Sequence, residues 1–299
     1  MYDAWLERGA RVRLNVPAFG PAFAKGETLD LFAVDAGNKV GPHLTFLHGF
    51  PTSSYDFQPI FDLLSGTHHL LAFDFVGFGD SEKPRTAAYS IHAQADLVEA
   101  MWQHFHVDRT VVVAHDYGVS VAQELLARRS TDNMKGLAGI TFLNGGLYPD
   151  LHRPLPVQRA LRTPVIGWLT TWLASERMFH KSMRNVFSKE HAPSDAALHE
   201  HWRAIERRSG HRMYDKLIHY LRDRETHAER WRAALELNAI PKQFLWGMLD
   251  PVSGPAMTER LKERIRPLRL VEMHDVGHYP QLEAPKRVAD LVAEWFPTR

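Results

Sequence analysis

The chain has 299 residues, 44% of them hydrophobic and 24% charged, with a formal net charge of +1 and no cysteine. That balance is ordinary for a globular protein with one large core or two modest ones. It excludes disulfides, thiolate metal sites and cysteine nucleophiles, and gives no overall pull toward nucleic acid or a membrane surface.

The opening MYDAWLERGARVRL carries Asp3, Glu7, Arg8, Arg11 and Arg13 and no apolar run of signal-peptide length. No later apolar stretch reaches membrane-spanning length, so a cytoplasmic protein without a membrane span is expected. Arg11–Val16 and Leu29–Val34 read as two strands with no helix between them, which predicts an antiparallel edge. His43–Leu47, His69–Phe73, Thr110–His115 and Leu137–Leu143 follow as further strands, and Lys242–Gly247 and Arg269–Met273 close the series. Helical spacing over Ala93–Phe105, Val119–Arg128 and Pro285–Trp295 separates several of them. Such alternation predicts an α/β fold whose mostly parallel sheet is covered on both faces.

Residues 148–237 break the alternation. Helical patterns over Glu176–Phe187, Ser194–Arg208 and Arg212–Arg222 occur there without a convincing strand. The segment reads as a helical cap inserted in a core of residues 1–147 and 238–299. Its many arginines read as solvated helix faces. Trp168, Leu169, Trp172, Phe179, Met183 and Phe187 read as cap core or as the wall of a hydrophobic pocket.

The most informative segment is Val111–Gly118, VVVAHDYG, where a buried strand runs straight into a helix. A turn that tight needs small residues two positions before and after its apex, and Ala114 and Gly118 flank Asp116. This is the spacing of the G-x-S-x-G nucleophile elbow with Asp in place of Ser. An Asp with a pKa of about 4 is already ionised at neutral pH and can attack a saturated carbon without a base. A base becomes necessary only to activate the water that hydrolyses the resulting ester. Asp is also a favoured N-cap, so Asp116 alone is equally consistent with a purely structural role.

Three further features lie in the right order. His278, in a Gly-bearing loop after the last strand, is a candidate base; His274 competes but sits closer to the strand. Asp250, just after the preceding strand, is the candidate acid that orients the imidazole. His48-Gly49-Phe50-Pro51 follows an early strand, and the backbone N–H groups of Phe50 and Tyr117 are the candidate oxyanion-hole donors. His68 and His69 at a strand start read as structural, and His104 and His106 at a helix end suit the helix dipole. No ligand cluster with metal spacing occurs, so neither a metal nor an organic cofactor is expected.

These residues resemble the α/β-hydrolase superfamily, in particular its Asp-nucleophile branch of epoxide hydrolases and haloalkane dehalogenases. Asp74–Ser81, DFVGFGDS, looks like the family's D-x-x-G-x-G-x-S loop. HGFPTSSYD, HDYGVSVAQELL, LNGGLYPDLHRPL, LDPVS and HYPQLE are similar to the mesoderm-specific transcript group of the same superfamily. The resemblance implies an eight-stranded α/β-hydrolase sheet with the cap after the sixth strand. Dehalogenases of this branch usually hold halide with an Asn and a Trp side chain where this chain has Phe50 and Tyr117, and Phe cannot donate a hydrogen bond. HGFP looks instead like the HGxP motif of epoxide hydrolases, in which cap tyrosines protonate the epoxide oxygen. Tyr220 matches one such position, Tyr148 is the early candidate for the other, and Tyr214 is a further one. His48, Pro51 and Tyr214 are expected to contact substrate. The implied partners are a small hydrophobic electrophile and water. Dehalogenation by the same Asp-ester route and a non-catalytic ligand-binding role are the alternatives.

Overall fold

The computed structural model describes residues 1–129, 136–154 and 156–295. Residues 130–135 and 296–299 of the expected core, and Leu155 of the expected cap, lie outside the described residues. Eight strands form one sheet: β1 (Ala10–Leu14), β2 (Leu29–Gly37), β3 (His43–Leu47), β4 (His69–Phe73), β5 (Arg109–His115), β6 (Gly136–Leu143), β7 (Lys242–Gly247) and β8 (Arg269–Met273). Their order is β1-β2-β4-β3-β5-β6-β7-β8. β1 runs antiparallel to β2, and β2 antiparallel to β4; every other pairing is parallel. The expected α/β-hydrolase sheet and its antiparallel edge are therefore present, and the antiparallel part extends one pairing further than the sequence suggested.

Every residue of β3 and β6 is buried, as continuous apolar strands in a sheet covered on both faces should be. Helices Gln58–Leu64, Ile91–His104, Tyr117–Ala127, Pro255–Arg264 and Pro285–Glu294 supply the cover. Ser90 caps the second of these, its Oγ accepting the Ala93 N–H at 3.1 Å, which starts that helix two residues earlier than spacing alone indicated.

The order fixes where a site can form. From β3 the chain moves outward to β4, whereas from β5 it moves the other way to β6. β3 and β5 are neighbours, with Leu47 opposite Ala114. The loops leaving their carboxyl ends therefore diverge and open a crevice, the place where ligands bind in open α/β sheets.

Between β6 and β7 the described residues carry helices and no strand. The expected helix Ser194–Arg208 is Asp195–Glu206, because Arg208 and Ser209 take left-handed φ values of 50° and 57°. The expected Arg212–Arg222 helix is two short ones, Tyr214–Leu217 and Tyr220–Thr226. Helix Ala228–Leu237 anchors the stretch on helix Tyr117–Ala127, where Trp231 Nε1 donates to Glu124 Oε2 at 2.8 Å and Arg230 pairs with the same carboxylate. Phe179, Met183 and Phe187 form a small core with Leu198, Trp202 and Tyr279. Trp168, Leu169 and Trp172 do not belong to it: each is about half exposed.

Candidate active site

β5 delivers Asp116 to the crevice through a backbone with φ 43° and ψ −98°. A non-glycine residue held there stores strain of about 1–3 kcal/mol, which persists only if its surroundings enforce it. They do. The Asp116 N–H donates to the Asn144 carbonyl at 3.0 Å, and the Gly118 N–H to the His48 carbonyl at 3.0 Å. A Cβ at Gly118 would run into the Leu47 carbonyl oxygen, so the small residue after the apex is a steric requirement. The side chain is buried, and its Oδ2 accepts the Phe50 N–H at 3.1 Å. Burial alone would raise the Asp116 pKa; the charges of Arg224 and His278 and the Phe50 N–H outweigh it and hold the carboxyl below its ordinary value.

β7 and β8 deliver the other two candidates. His278 Nδ1 lies 2.8 Å from Asp250 Oδ2. Asp250 Oδ2 also accepts from Asn144 Nδ2 at 2.9 Å and Ser253 Oγ at 2.6 Å, and Oδ1 accepts the Val252 N–H at 2.7 Å. Burial disfavours the Asp250 carboxylate, but the His278 charge and these donors hold its pKa far below the usual range. His278 is the mirror case. Burial disfavours its imidazolium, yet the Asp250 charge and hydrogen bond, with a smaller contribution from Asp116, raise its pKa to about 9. Buried Glu283 fixes the loop, accepting the N–H groups of Gly277 at 2.8 Å and Tyr279 at 2.9 Å. His274, the competitor in the sequence, has no place in this network.

The HGFP loop serves two purposes. Phe50 and Pro51 line the cavity above Asp116. His48 does not. It is fully buried with both ring nitrogens engaged: the Phe75 N–H donates to Nε2 at 3.1 Å, which leaves Nδ1–H to donate to the Gly49 carbonyl at 2.9 Å. The expected substrate contact is therefore corrected: His48 braces the loop. Tyr117 supplies the first N–H of its helix, one of those with no intrahelical acceptor. Its ring points into the core among Phe75, Phe78 and Tyr220, so its hydroxyl does not face the cavity.

Three residues that sequence reasoning passed over join the site. Asn144 at the end of β6 ties the Asp116 N–H to Asp250, as above. Arg224 is 1% exposed. Its Nη2 donates to the Asp116 carbonyl oxygen at 2.8 Å and lies 3.7 Å from Asp116 Oδ1, while Nε donates to Ser120 Oγ at 2.6 Å. Gly146 leaves the room: a Cβ there would lie 2.5 Å from Arg224 Nη1. A signal existed, since Arg224 follows Tyr220 by one helical turn and so shares its face. It was masked by the many solvated arginines nearby. His152 is the third. Burial, then the Arg224 charge, push its pKa down to about 4, so its ring is neutral.

The cavity between the sheet and the helical stretch has a volume of about 180 Å³. Asp116, His278, Phe50 and Pro51 line it from the sheet side, and Tyr214, Leu161, Met178, Phe179, Met183 and Trp202 are among the side chains that the helical stretch contributes. A void of about 150 Å³ holds benzene, so a compact apolar molecule fits. The three candidate tyrosines separate here. Tyr214 lines the cavity, its ring 5.2 Å from that of Phe50 and its buried hydroxyl without a partner. Tyr220, the expected main donor, is not among the lining residues: its ring lies 6.0 Å from Phe50 and 5.0 Å from Tyr117, with its hydroxyl buried and without a partner. Burial raises both phenol pKa values, which keeps both protonated. Tyr148 is not brought to the cavity; its hydroxyl donates to Glu236 Oε1 at 3.3 Å beneath Arg260. Among the described residues no group of three or more His, Asp or Glu is placed to hold a metal ion.

A strand-end acid–His dyad, an elbow carboxylate and an adjoining loop N–H at one crevice define a hydrolase-type site. Residues 42–285 match the α/β hydrolase fold family. The human mesoderm-specific transcript homolog protein (Homo sapiens) is 38% identical over 268 residues, covering 86% of this chain and 80% of that protein. The structure also superimposes on a haloalkane dehalogenase, DbeA from Bradyrhizobium elkani USDA94, with a TM-score of 0.79 at 22% identity over 96% of this chain and 97% of that one. The epoxide hydrolase CorEH gives 0.73 at 21% identity over 96% and 98%. The chain belongs to the α/β-hydrolase superfamily.

Proposed function

We propose that this chain hydrolyses a small apolar epoxide to a diol through an ester on Asp116. One observation carries the reading: an ionised carboxylate, not a serine, occupies the elbow and lines the cavity, with an acid-paired His278 in the same cavity. The helical stretch 148–237 acts as the cap that shields this chemistry from bulk water.

In the first step Tyr214 donates to the epoxide oxygen, while Tyr220 packs on Phe50 outside the lining. Asp116 Oδ1, the oxygen not engaged by Phe50, attacks the less hindered carbon. The C–O bond of the ring breaks, and its electron pair stays on the oxygen, which takes a proton from the phenol. In the second step His278 deprotonates a water that attacks the ester carbonyl. The N–H groups of Phe50 and Tyr117 hold the oxyanion, a contribution of about 2.7–4 kcal/mol per donor. The Asp116 Cγ–Oδ1 bond then breaks, Oδ1 takes the proton held by His278 and leaves as the second hydroxyl of the diol, the water oxygen remains on Asp116, and the proton of the regenerated carboxylic acid restores the phenol.

The raised His278 pKa fits this order. In the resting site the imidazolium sits among carboxylates. Esterification removes the Asp116 charge, one of the causes that raise the His278 pKa. The His278 pKa then falls, so the ring gives up its proton more readily and is available in the neutral form that can accept one from water once there is an ester to hydrolyse. Arg224 keeps Asp116 ionised and oriented until then. Halide release finds less support, because Phe50 presents an apolar ring and the Tyr117 hydroxyl points away.

Single-turnover incubation with styrene oxide in ¹⁸O-water, followed by peptide mass analysis, tests the scheme. Label in the Asp116 carboxylate and diol product are expected. His278→Gln should accumulate a protein–substrate adduct, since the first step does not need the base. Wild-type turnover with no adduct on the His278→Gln protein would sink the ester mechanism.

A further inference from the structure

Helix Pro164–Leu173 is turned inside out. Its sequence, PVIGWLTTWL, is apolar nearly all round, yet the side facing the protein carries Gly167 and Thr171, both buried. The large residues Val165, Ile166, Trp168, Leu169, Trp172 and Leu173 face outward, Val165 being 77% and Leu173 63% exposed. The inward choice is steric: a Cβ at Gly167 would run into the Leu161 carbonyl oxygen, so the helix lies against its neighbour through its smallest side chain. The outward rings pack on one another and under a cation. Trp168 and Trp172 lie 5.7 Å apart, and the Arg212 guanidinium sits 3.8 Å over Trp172. Scattered apolar residues on a surface need no explanation, but six on one short helix mark a docking face.

Three observations indicate what docks. The segment 153–184 carries six cations, Arg153, Arg159, Arg162, Arg177, Lys181 and Arg184, against one carboxylate, Glu176; Arg162 and Arg184 are paired with Glu225 and Asp195 from outside it. The whole-chain charge of +1 hides this local excess. Tryptophans and aliphatic side chains flanked by arginine and lysine are the composition of helices that lie in a bilayer interface. A symmetric pairing of two copies through this face would set the same cations against each other. Finally, the face adjoins the cavity: Thr170 of this helix, and Ala174 and Ser175 just past its end, line it, as does half-exposed Met178.

We propose that this face docks on an anionic phospholipid surface, with the helix lying in the interface and the cavity mouth beside it. Among the described residues no helix is long and apolar enough to cross a membrane, so docking is peripheral. Delivery of an apolar electrophile from the bilayer to Asp116 follows if the hydrolase reading holds; the docking itself does not depend on it.

The test is co-sedimentation of the full chain with vesicles of equal parts phosphatidylglycerol and phosphatidylcholine, and with phosphatidylcholine alone. Binding to the anionic vesicles, weakened by salt and accompanied by a blue shift of tryptophan emission, is expected. Trp168→Ser/Leu169→Ser/Trp172→Ser should bind at least about tenfold more weakly, while its circular dichroism and cavity residues are unchanged. Arg159→Glu/Arg177→Glu/Lys181→Glu, which keeps the apolar face, should lose the preference for anionic lipid. Equal sedimentation of wild type and triple-serine variant overturns the proposal. So does a wild type that ignores vesicles but forms a dimer that the serine variant abolishes, which would assign the face to a second copy.

Discussion

Arg224 and Asp116 form a buried ion pair whose removal has a calculable cost. At 3.7 Å and an effective dielectric near 20, the attraction is about 4.5 kcal/mol. Desolvation of both groups offsets much of that, so the pair adds little net stability, whereas losing one partner strands the other. Arg224→Met leaves a buried carboxylate and should lower the unfolding free energy by about 3–5 kcal/mol at pH 7. Asp116→Asn strands the guanidinium, although the Asp116 carbonyl and Ser120 Oγ still hold it, so its cost should be smaller. The double variant should recover about 1–3 kcal/mol relative to the sum of the singles. Urea unfolding followed by circular dichroism reads all four proteins. The sign with pH is also fixed. Asp116 has a depressed folded pKa, so its contribution is present above the unfolded value of about 4 and lost as pH falls through the folded one. The Arg224→Met deficit should therefore shrink in acid. Additivity of the two substitutions within about 0.5 kcal/mol would refute the coupling and reduce Arg224 to a packing residue.

His278 titrates in the opposite sense. Its folded pKa of about 9 stands above an unfolded value of about 6.5. The stabilisation is thus fully present below pH 6.5 and lost as pH rises through 9, a change of about 3 kcal/mol. Unfolding measured from pH 6 to 10 should show that slope in the wild type and lose it in His278→Gln. Tyr214→Phe should slow adduct formation on a His278→Gln background by about 10²-fold or more, the usual scale of acid catalysis. Tyr148→Phe should leave it unchanged, and rapid-quench mass measurement separates the two.

Local chemistry made much of this site legible in the sequence. The elbow is a run of contiguous residues whose small neighbours are dictated by one tight turn. His278 and Asp250 each sit a few residues past a β-branched or apolar strand. The sheet then converts that order into proximity, because parallel neighbours present their loops at one edge. The helical stretch obeys no such rule. An apolar helix can bury either side, and only its packing partner decides, so Trp168 and Trp172 point outward because Gly167 allows the closer approach. A tyrosine's position along the chain likewise does not say where its hydroxyl ends: Tyr214 reaches the cavity, and Tyr148 turns to Glu236. Arg224 shows the same limit most sharply. In the sequence it is one arginine among many. Its burial against Asp116 exists only because helix Tyr220–Thr226 docks over a glycine that leaves space for the guanidinium, a contact between residues 108 positions apart.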